Sequence, residues 1–172
     1  MRDDEIIERF EKWQVETGKY KGLDLSKVEY LEVGYTDSDY VEFNPAKSEK
    51  VKSLIDVNAN VSFIPMNSID DSKGEVDEVF SKPIKELVKG SYRYFENNDI
   101  LFAKVTPCME NGNCAIVSNL ENEIGFGSSE FFVFRPSGKV RAKYLWYQLR
   151  NNLLRDQAKS TMSGAGGLKR VP

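Results

Sequence analysis

A single apolar run, ended by a proline, constrains the fold of this chain more than any other segment. The run from Asp99 to Val105 is rich in residues that favour β-strands, and it stops at Pro107. Proline ends a strand because it has no backbone N–H to donate to a neighbouring strand. Asn111–Gly112 follows, a pair typical of turns, and we expect Asn111 to adopt a positive φ angle there. The segment predicts a buried strand that delivers a rigid, polar loop to one edge of a domain.

The rest of the chain alternates between short strand and helix patterns. Strands are predicted at 61–66, 114–117 and 130–135, and alternate residues of 130–135 should face opposite sides of a sheet. The stretch 141–159 predicts the longest helix, with three leucines on one stripe: Leu145, Leu149 and Leu153. The predicted fold is a single α+β domain with a twisted mixed sheet and flanking helices, including a C-terminal basic helix.

The first part of the chain differs from the rest in its charge. Residues 1–60 hold nine basic against fourteen acidic side chains, and the apolar spacing within 3–15 is typical of a short amphipathic helix. We therefore predict two parts: residues 1–40 form an acidic N-terminal helix and leader packed on the domain, and residues 41–172 form the domain itself. The start of the chain lacks the pattern of a signal peptide, and no apolar run reaches the length of a membrane helix. These features predict a cytoplasmic protein with no membrane partner.

Basic residues are concentrated at the other end of the chain. The whole sequence has a net charge of −3, but 135–172 contains nine basic residues and one acidic residue, Asp156, which gives +8. A local basic surface attracts phosphate groups whatever the average charge of the chain. A solvated helix face is the alternative explanation of such a charge run. The candidates for phosphate contact are Arg155, Lys169 and Arg170.

The sequence gives little support to catalysis or to metal binding. Histidine is absent, which removes the commonest general base, and two cysteines, Cys108 and Cys114, are too few for a zinc site. Asn44–Pro45 lacks the second proline and the aromatic residue of an amino-methyltransferase loop. Asp71 and Lys73 are the nearest approach to a nuclease motif. We therefore expect no catalytic residue, no bound metal and no cofactor.

Four segments follow one another in a recognisable order. They read VSFIPM at 61–66, DILFAKVTPCMENGN at 99–113, GFGSSEF at 125–131 and MSGAGGLKRVP at 162–172. Together they resemble the target recognition domains of type I restriction-modification specificity subunits. The resemblance covers roughly residues 41–172.

The resemblance implies a function in sequence-specific recognition of double-stranded DNA. A full subunit of that family has two such domains, and each domain reads one half of a split target. The domain itself performs no chemistry. A DNA methyltransferase subunit modifies adenine with S-adenosylmethionine, and a restriction subunit cleaves with ATP. None of these cofactors is expected to bind this chain.

The candidate DNA-binding residues combine the basic tail with the polar loops of the motifs. Asparagine can pair with adenine and a carboxylate with cytosine, but a motif shared by proteins with different targets favours shaping or backbone contact over base reading. The DNA-binding candidates are Lys104, Thr106, Glu110, Asn111, Asn113, Ser128, Ser129, Arg155, Lys169 and Arg170.

Two other functions compete with DNA recognition. A protein-interaction module could keep the same fold without binding DNA and use the acidic N-terminal part to hold a partner. A small nuclease would depend on Asp71 and Lys73. The residues Tyr92, Arg93 and Tyr94 form an aromatic and basic cluster that we interpret as a half-buried strand edge.

Overall fold

The fold is seen in a computed structural model, which describes residues 40–45, 47, 51, 53, 56, 58–165 and 167–172. All of these residues lie in the compact unit Val33–Pro172. The helix predicted within 3–15 and the leader of residues 1–40, apart from Tyr40, lie outside the described residues. The packing of that leader on the domain stays a prediction.

The described residues contain ten strands, four α-helices and two short 3-10 helices, Met66–Ser68 and Glu121–Glu123. In chain order, the strands and α-helices are β1 (Val41–Phe43), β2 (Asn60–Ile64), β3 (Ile69–Asp70), β4 (Glu75–Val76), β5 (Phe80–Pro83), α1 (Ile84–Leu87), β6 (Arg93–Glu96), β7 (Ile100–Ala103), α2 (Cys108–Asn111), β8 (Cys114–Ile116), β9 (Ile124–Gly127), β10 (Phe131–Pro136), α3 (Ala142–Leu149) and α4 (Asn152–Thr161).

These strands form two four-stranded sheets and a small hairpin. The first sheet has the order β1-β10-β7-β8 and is antiparallel throughout. The second sheet has the order β5-β2-β9-β6, in which β2 and β9 are parallel and the other pairs are antiparallel. Strands β3 and β4 make the hairpin. The α+β class is confirmed, with the strands distributed over two sheets rather than one.

The two sheets pack face to face, and helices cover their outer sides. Leu101, Phe131 and Val133 of the first sheet share a buried cluster with Ile64 and Phe95 of the second sheet. The opposite side of the first sheet packs on α3 through Leu145 and Leu149. Helix α1 covers the second sheet. Strand β7 is apolar at every position because both of its faces are buried.

Strand β10 shows the predicted alternation. Phe131 and Val133 belong to the cluster between the sheets, whereas Phe132 and Phe134 pack on the helical side. Gly125 in β9 has a packing role, since a Cβ atom there would overlap the ring of Phe95. The Gly-Phe-Gly sequence therefore permits close approach of a side chain to the strand.

The prediction of one long helix over 141–159 is wrong. The structure has two helices, and Asn151 lies between them, where its side chain accepts a hydrogen bond from the backbone N–H of Leu153 at 2.9 Å. An asparagine in this position starts a helix because it satisfies a free N–H of the first turn. Leu145 and Leu149 are buried as predicted, but Leu153 is 75% exposed, because α4 starts with a different face towards the core.

Candidate nucleic-acid interface

The proline that ends the first-sheet strand is followed by a short helix rather than an open turn. The Thr106–Pro107 bond is cis, and α2 begins at Cys108. Asn111 is the last residue of that helix, and Gly112 carries the positive φ angle of 95°. The prediction that Asn111 has a positive φ angle is therefore wrong. Glycine takes the left-handed position because it has no Cβ to clash with the backbone.

The C-terminal tail returns to the end of β7 and is held there by Thr106. The Thr106 hydroxyl donates to the carbonyl of Gly167 at 3.0 Å and accepts from the backbone N–H of Lys169 at 2.9 Å. The backbone N–H of Thr106 donates to the carbonyl of Lys169 at 3.0 Å, and that of Val171 donates to the carbonyl of Lys104 at 2.9 Å. Thr106 thus fixes the backbone that carries Lys169 and the residue after it.

We refer to Lys104, Thr106, Glu130, Lys169 and Arg170 as the tail junction. Arg170 Nε lies 3.0 and 2.9 Å from the two carboxylate oxygens of Glu130. The hydrogen bond from Arg170 holds the pKa of Glu130 below its usual value, although burial opposes this effect. Lys169 is exposed. The tail junction therefore places two exposed cationic residues on a backbone that is held by hydrogen bonds within the protein.

Lys104 follows β7 directly and is half-buried. Its ammonium group lies 5.5 Å from the ring centroid of Phe132, and its backbone N–H donates to the carbonyl of Glu130 at 3.0 Å. Burial lowers the pKa of Lys104, and the positive charge of Arg93 lowers it further. Lys104 is therefore the half-buried cation of the tail junction.

Ser128 and Ser129 lie in the connection between the two sheets. This connection joins β9 of the second sheet to β10 of the first. The Ser128 hydroxyl accepts a hydrogen bond from the backbone N–H of Glu130 at 3.1 Å, and both serines are half-buried. The structure therefore brings the serines next to Glu130 and the tail junction.

The candidates Glu110 and Arg155 belong to a second set of residues, at α2, α4 and the end of α3. We refer to Glu110, Arg150, Asn152, Arg155 and Lys159 as the helix group. Lys159 Nζ lies 3.4 Å from a carboxylate oxygen of Glu110, and Arg155 donates to the Glu110 carbonyl at 3.4 Å and to the side chain of Asn152. The two terminal nitrogens of Arg155 are thus engaged by the protein itself, whereas its buried Nε has no hydrogen-bond partner among the described residues.

Arg150 has the most backbone partners in the helix group. Its guanidinium donates to the carbonyls of Gly112, Asp71 and Ser72, each at 3.0 Å, and lies 5.1 Å from the ring centroid of Trp146. These bonds connect α3 to the α2 loop and to the β3–β4 turn. Arg150 therefore adds to the basic charge of the C-terminal segment, but its guanidinium donors hold α3, the α2 loop and the β3–β4 turn together.

The two asparagines predicted as DNA-binding residues differ in exposure. Asn113 is buried, and its side-chain amide donates to the carbonyl of Ile69 at 3.0 Å. Asn111 is exposed at the end of α2. The predicted residues therefore fall into the tail junction with its neighbouring serines, the helix group with Asn111, and the separately buried Asn113.

The sequence-based candidates did not include two charged residues, Glu130 of the tail junction and Arg93 near it. Glu130 directly follows the two candidate serines, and Arg93 belongs to the cluster interpreted as a half-buried strand edge. Arg93 lies opposite Gly127 in the β6–β9 pair, and Gly127 precedes the serine connection. The alternation of side chains along a strand could have shown which face of β6 carries Arg93. The pairing of β6 with β9, which brings Arg93 near Glu130, cannot be read from the sequence because the two strands are far apart in the chain.

The residues of the competing nuclease hypothesis lie in the β3–β4 turn. Asp70 accepts from the backbone N–H groups of Ser72 and Lys73, each at 2.8 Å, and Lys73 Nζ lies 3.2 Å from Asp70. The Ser72 hydroxyl also donates to Asp70, at 2.6 Å, and this bond, followed by those from Lys73, holds the pKa of Asp70 well below its usual value. Asp71, the acidic residue of the hypothesis, is exposed. Local turn formation explains this pattern.

The described part of the chain has no group of three or more His, Cys, Asp or Glu side chains arranged to hold a metal ion. No helix there has both the length and the apolar character needed to cross a membrane. Cys108 and Cys114 are free thiols, and burial raises the pKa of Cys114 far above its usual value.

Comparison with known proteins identifies relatives in sequence and in fold. The chain is 42% identical over 113 residues, 65% of its length, to the type I restriction enzyme EcoAI specificity subunit of Escherichia coli. It is 33% identical over 122 residues, 69% of its length, to the EcoEI specificity subunit of the same organism. These matches cover 19% and 20% of the two relatives, so the chain spans about a fifth of their length. No protein-family model matches the chain.

Two solved structures share the fold. One is a chain from work on complex assembly and conformational transition of the type I R-M system, with a TM-score of 0.58 and 15% identity over 77% of this chain and 35% of that chain. The other is the HsdS subunit from Thermoanaerobacter tengcongensis, with a TM-score of 0.55 and 17% identity over 72% of this chain and 30% of that chain.

Together, the matched segment and the shared fold identify a domain that belongs to type I restriction-modification systems. Within that class, the chain carries a specificity-subunit domain, and the resemblance seen in its four motifs is confirmed.

Proposed function

We propose that this chain is a DNA target recognition domain that binds double-stranded DNA and reads one part of a split target. The observation that carries the proposal is the 42% identity to a type I specificity subunit over 113 residues. In a restriction-modification system, specificity requires contact with the sequence of the DNA. The domain would then direct adenine methylation and cleavage by other subunits.

The tail junction is the proposed contact with the DNA backbone. Lys169 and Arg170 are exposed, and their backbone is fixed by Thr106. Exposed cations on a fixed backbone suit phosphates, which position a protein on DNA without reading sequence. The neighbouring Ser128 and Ser129, together with Lys104, would extend this contact surface.

The helix group is assigned a smaller share of DNA contact. Asn111 is exposed and can approach base edges, and Glu110 is half-buried beside Lys159. Arg155 and Asn113 are engaged by carbonyl groups, so we propose that they support the loop from inside. The base-reading residues would then lie among the exposed side chains of the α2 loop and its neighbours.

The proposed partners are a DNA methyltransferase subunit and a restriction subunit. The relatives are named as specificity subunits of type I restriction enzymes, and one structural neighbour comes from work on complex assembly of the type I R-M system. We propose that methyl transfer and cleavage, with their cofactors, reside on those partners, and that this chain acts in the cytoplasm without catalytic activity of its own.

Duplex binding tests the proposal directly. Fluorescence anisotropy with a labelled duplex should show binding that weakens with salt, with a log–log slope of about −0.9 for each phosphate neutralised. Selection from random duplexes, with the methyltransferase subunit present, should enrich one sequence. If no duplex binds at low salt, even with that subunit, the chain acts as a protein-interaction module instead.

A separate assay addresses the competing nuclease hypothesis. Incubation of the chain alone with DNA, Mg²⁺, ATP and S-adenosylmethionine should leave the DNA uncut and unmethylated. A product that disappears in Asp71→Ala or Lys73→Ala would contradict the proposal and support catalysis in the β3–β4 turn.

A further inference from the structure

Three cationic residues from distant parts of the sequence lie near Glu130 at the junction of the two sheets, and one of them, Arg170, contacts its carboxylate. Arg93 begins β6 and pairs with Gly127, three residues before Glu130. Lys104 donates its backbone N–H to the carbonyl of Glu130 at 3.0 Å, and Arg170 contacts the carboxylate of the same residue. The group therefore contains three positive charges and one negative charge.

Electrostatic effects show that these charges lie close enough to influence one another. Burial is the largest cause of the lowered pKa of Lys104. The positive charges of Arg93 and Arg170 lower this pKa further, and the carboxylate of Glu130 opposes them. The hydrogen bond from Arg170 is the largest cause of the lowered pKa of Glu130, and the positive charges of Lys104 and Arg93 lower this pKa further. A single carboxylate leaves most of this positive charge uncompensated.

The arginines retain donors that a ligand could use. The Nε atom of Arg93 is buried and has no hydrogen-bond partner among the described residues. Arg170 reaches both carboxylate oxygens of Glu130 through Nε, and within the described part of the chain its two terminal nitrogens are left for another acceptor. A buried donor without a partner is rare in folded proteins because its lost hydrogen bonds to water are not replaced, and an anion that reaches the guanidinium is one explanation.

We propose that Arg93, Lys104 and Arg170 form a binding site for a phosphodiester of the DNA backbone, and that Glu130 holds Arg170 in place of the phosphate when DNA is absent. The inference rests on the proposed function and adds Arg93 and Glu130 to it. A phosphate oxygen matches the fork of a guanidinium as well as a carboxylate does, so one anion can replace the other. The site spans both sheets and would orient the domain on the duplex.

Replacement of Arg93 by glutamine tests the site. Arg93→Gln should make the log–log salt slope shallower by about 0.9 and weaken duplex binding about eightfold at 0.1 M salt, equally for all sequences. The matched control is Lys139→Gln, because Lys139 is exposed and follows the opposite end of β10 from Glu130. It removes the same charge and should change the slope little. The melting temperature of each variant is measured in parallel, so that the comparison is made on folded protein.

Replacement of Glu130 by glutamine tests its role by the sign of the effect. Glutamine keeps an acceptor for Arg170 but removes the negative charge that a phosphate must displace. Glu130→Gln should tighten binding to every duplex several-fold at low salt, and the gain should shrink as salt screens the site. A loss of affinity would show that Glu130 only anchors Arg170, and this would overturn the inference.

Competition with inorganic phosphate distinguishes DNA from a free anion as the occupant. At constant ionic strength, displacement of the duplex should need phosphate at tens of millimolar, and displacement at micromolar phosphate would contradict a DNA site.

If the wild-type chain binds duplex and Arg93→Gln behaves like Lys139→Gln, the inference fails and the proposed function stands. If the wild-type chain binds no duplex, the proposed function fails, and the site with it.

Discussion

The tail junction and the helix group carry similar basic residues but use them differently. In the tail junction, Lys169 is exposed and Arg170 makes one ion pair, with Glu130. In the helix group, Arg150 donates to three carbonyls and Arg155 to Glu110 and Asn152. Lys169 and Arg170 of the tail junction are exposed, whereas Arg150 and Arg155 of the helix group join helices and turns.

This difference shows why a count of basic residues does not measure a basic surface. The C-terminal segment has a formal charge of +8, but part of that charge is engaged by backbone carbonyls and by the carboxylate of Glu110. A guanidinium that donates to backbone carbonyls has fewer donors left for phosphates. Substitutions should therefore separate a region that stabilises the fold from a region that binds DNA.

The largest effect is expected on stability when the helix group loses Arg150. Arg150→Ala removes hydrogen bonds to three carbonyls and should lower the free energy of unfolding by about 3 kcal/mol. Urea denaturation measures this loss. Arg141→Ala, which removes the same charge from an exposed position, is the control and should stay within about 0.5 kcal/mol of wild type. Equal effects of the two variants would contradict the structural role of Arg150.

The next effect concerns the turn between α2 and β8. Gly112→Ala should lower the free energy of unfolding by about 2 kcal/mol, because the φ angle is 95° and a Cβ atom would overlap the Arg155 guanidinium. Asn111→Ala should leave the melting temperature unchanged, because Asn111 is exposed and helical. Any change in DNA affinity in Asn111→Ala would then report a direct contact. A large loss of stability in Asn111→Ala would show that the loop is held differently.

Loss of the exposed cations of the tail junction should affect binding rather than folding. Lys169→Ala combined with Arg170→Ala should weaken binding to all duplexes at least tenfold at 0.1 M salt and make the salt slope shallower by about 1.8. The melting temperature should change little. Lys139→Ala with Lys143→Ala removes the same charge elsewhere and serves as the control. A loss restricted to one preferred sequence would instead indicate that the tail reads bases.

The smallest effect is expected from the hydroxyl that fixes the tail. Thr106→Val keeps the shape of the side chain but removes its bonds to Gly167 and Lys169, and should cost about 1 kcal/mol of stability. Duplex affinity should fall a few-fold, because the backbone that carries Lys169 and Arg170 loses a fixed geometry. Thr106→Ser keeps the hydroxyl and should restore both properties. If Thr106→Ser binds as weakly as Thr106→Val, positioning by the hydroxyl is excluded.

Local patterns in the sequence were sufficient for several features of this domain. The apolar run of β7, the alternation in β10 and the α+β class follow from the chemistry of neighbouring residues, and the structure confirms them. The order of four motifs was sufficient to identify the specificity-subunit class, which the comparisons confirm. Such features need no knowledge of which distant segments meet.

Only the tertiary structure decided how the charged residues are used. The pairing of β6 with β9 puts Arg93 near Glu130, and the return of the tail to Thr106 puts Arg170 there as well. The break at Asn151 turns Leu153 outwards, and Gly112 takes the left-handed angle that Asn111 was expected to adopt. The physical reason is that propensity and periodicity act over a few residues, whereas the partner of a charge depends on contacts between segments far apart in the chain.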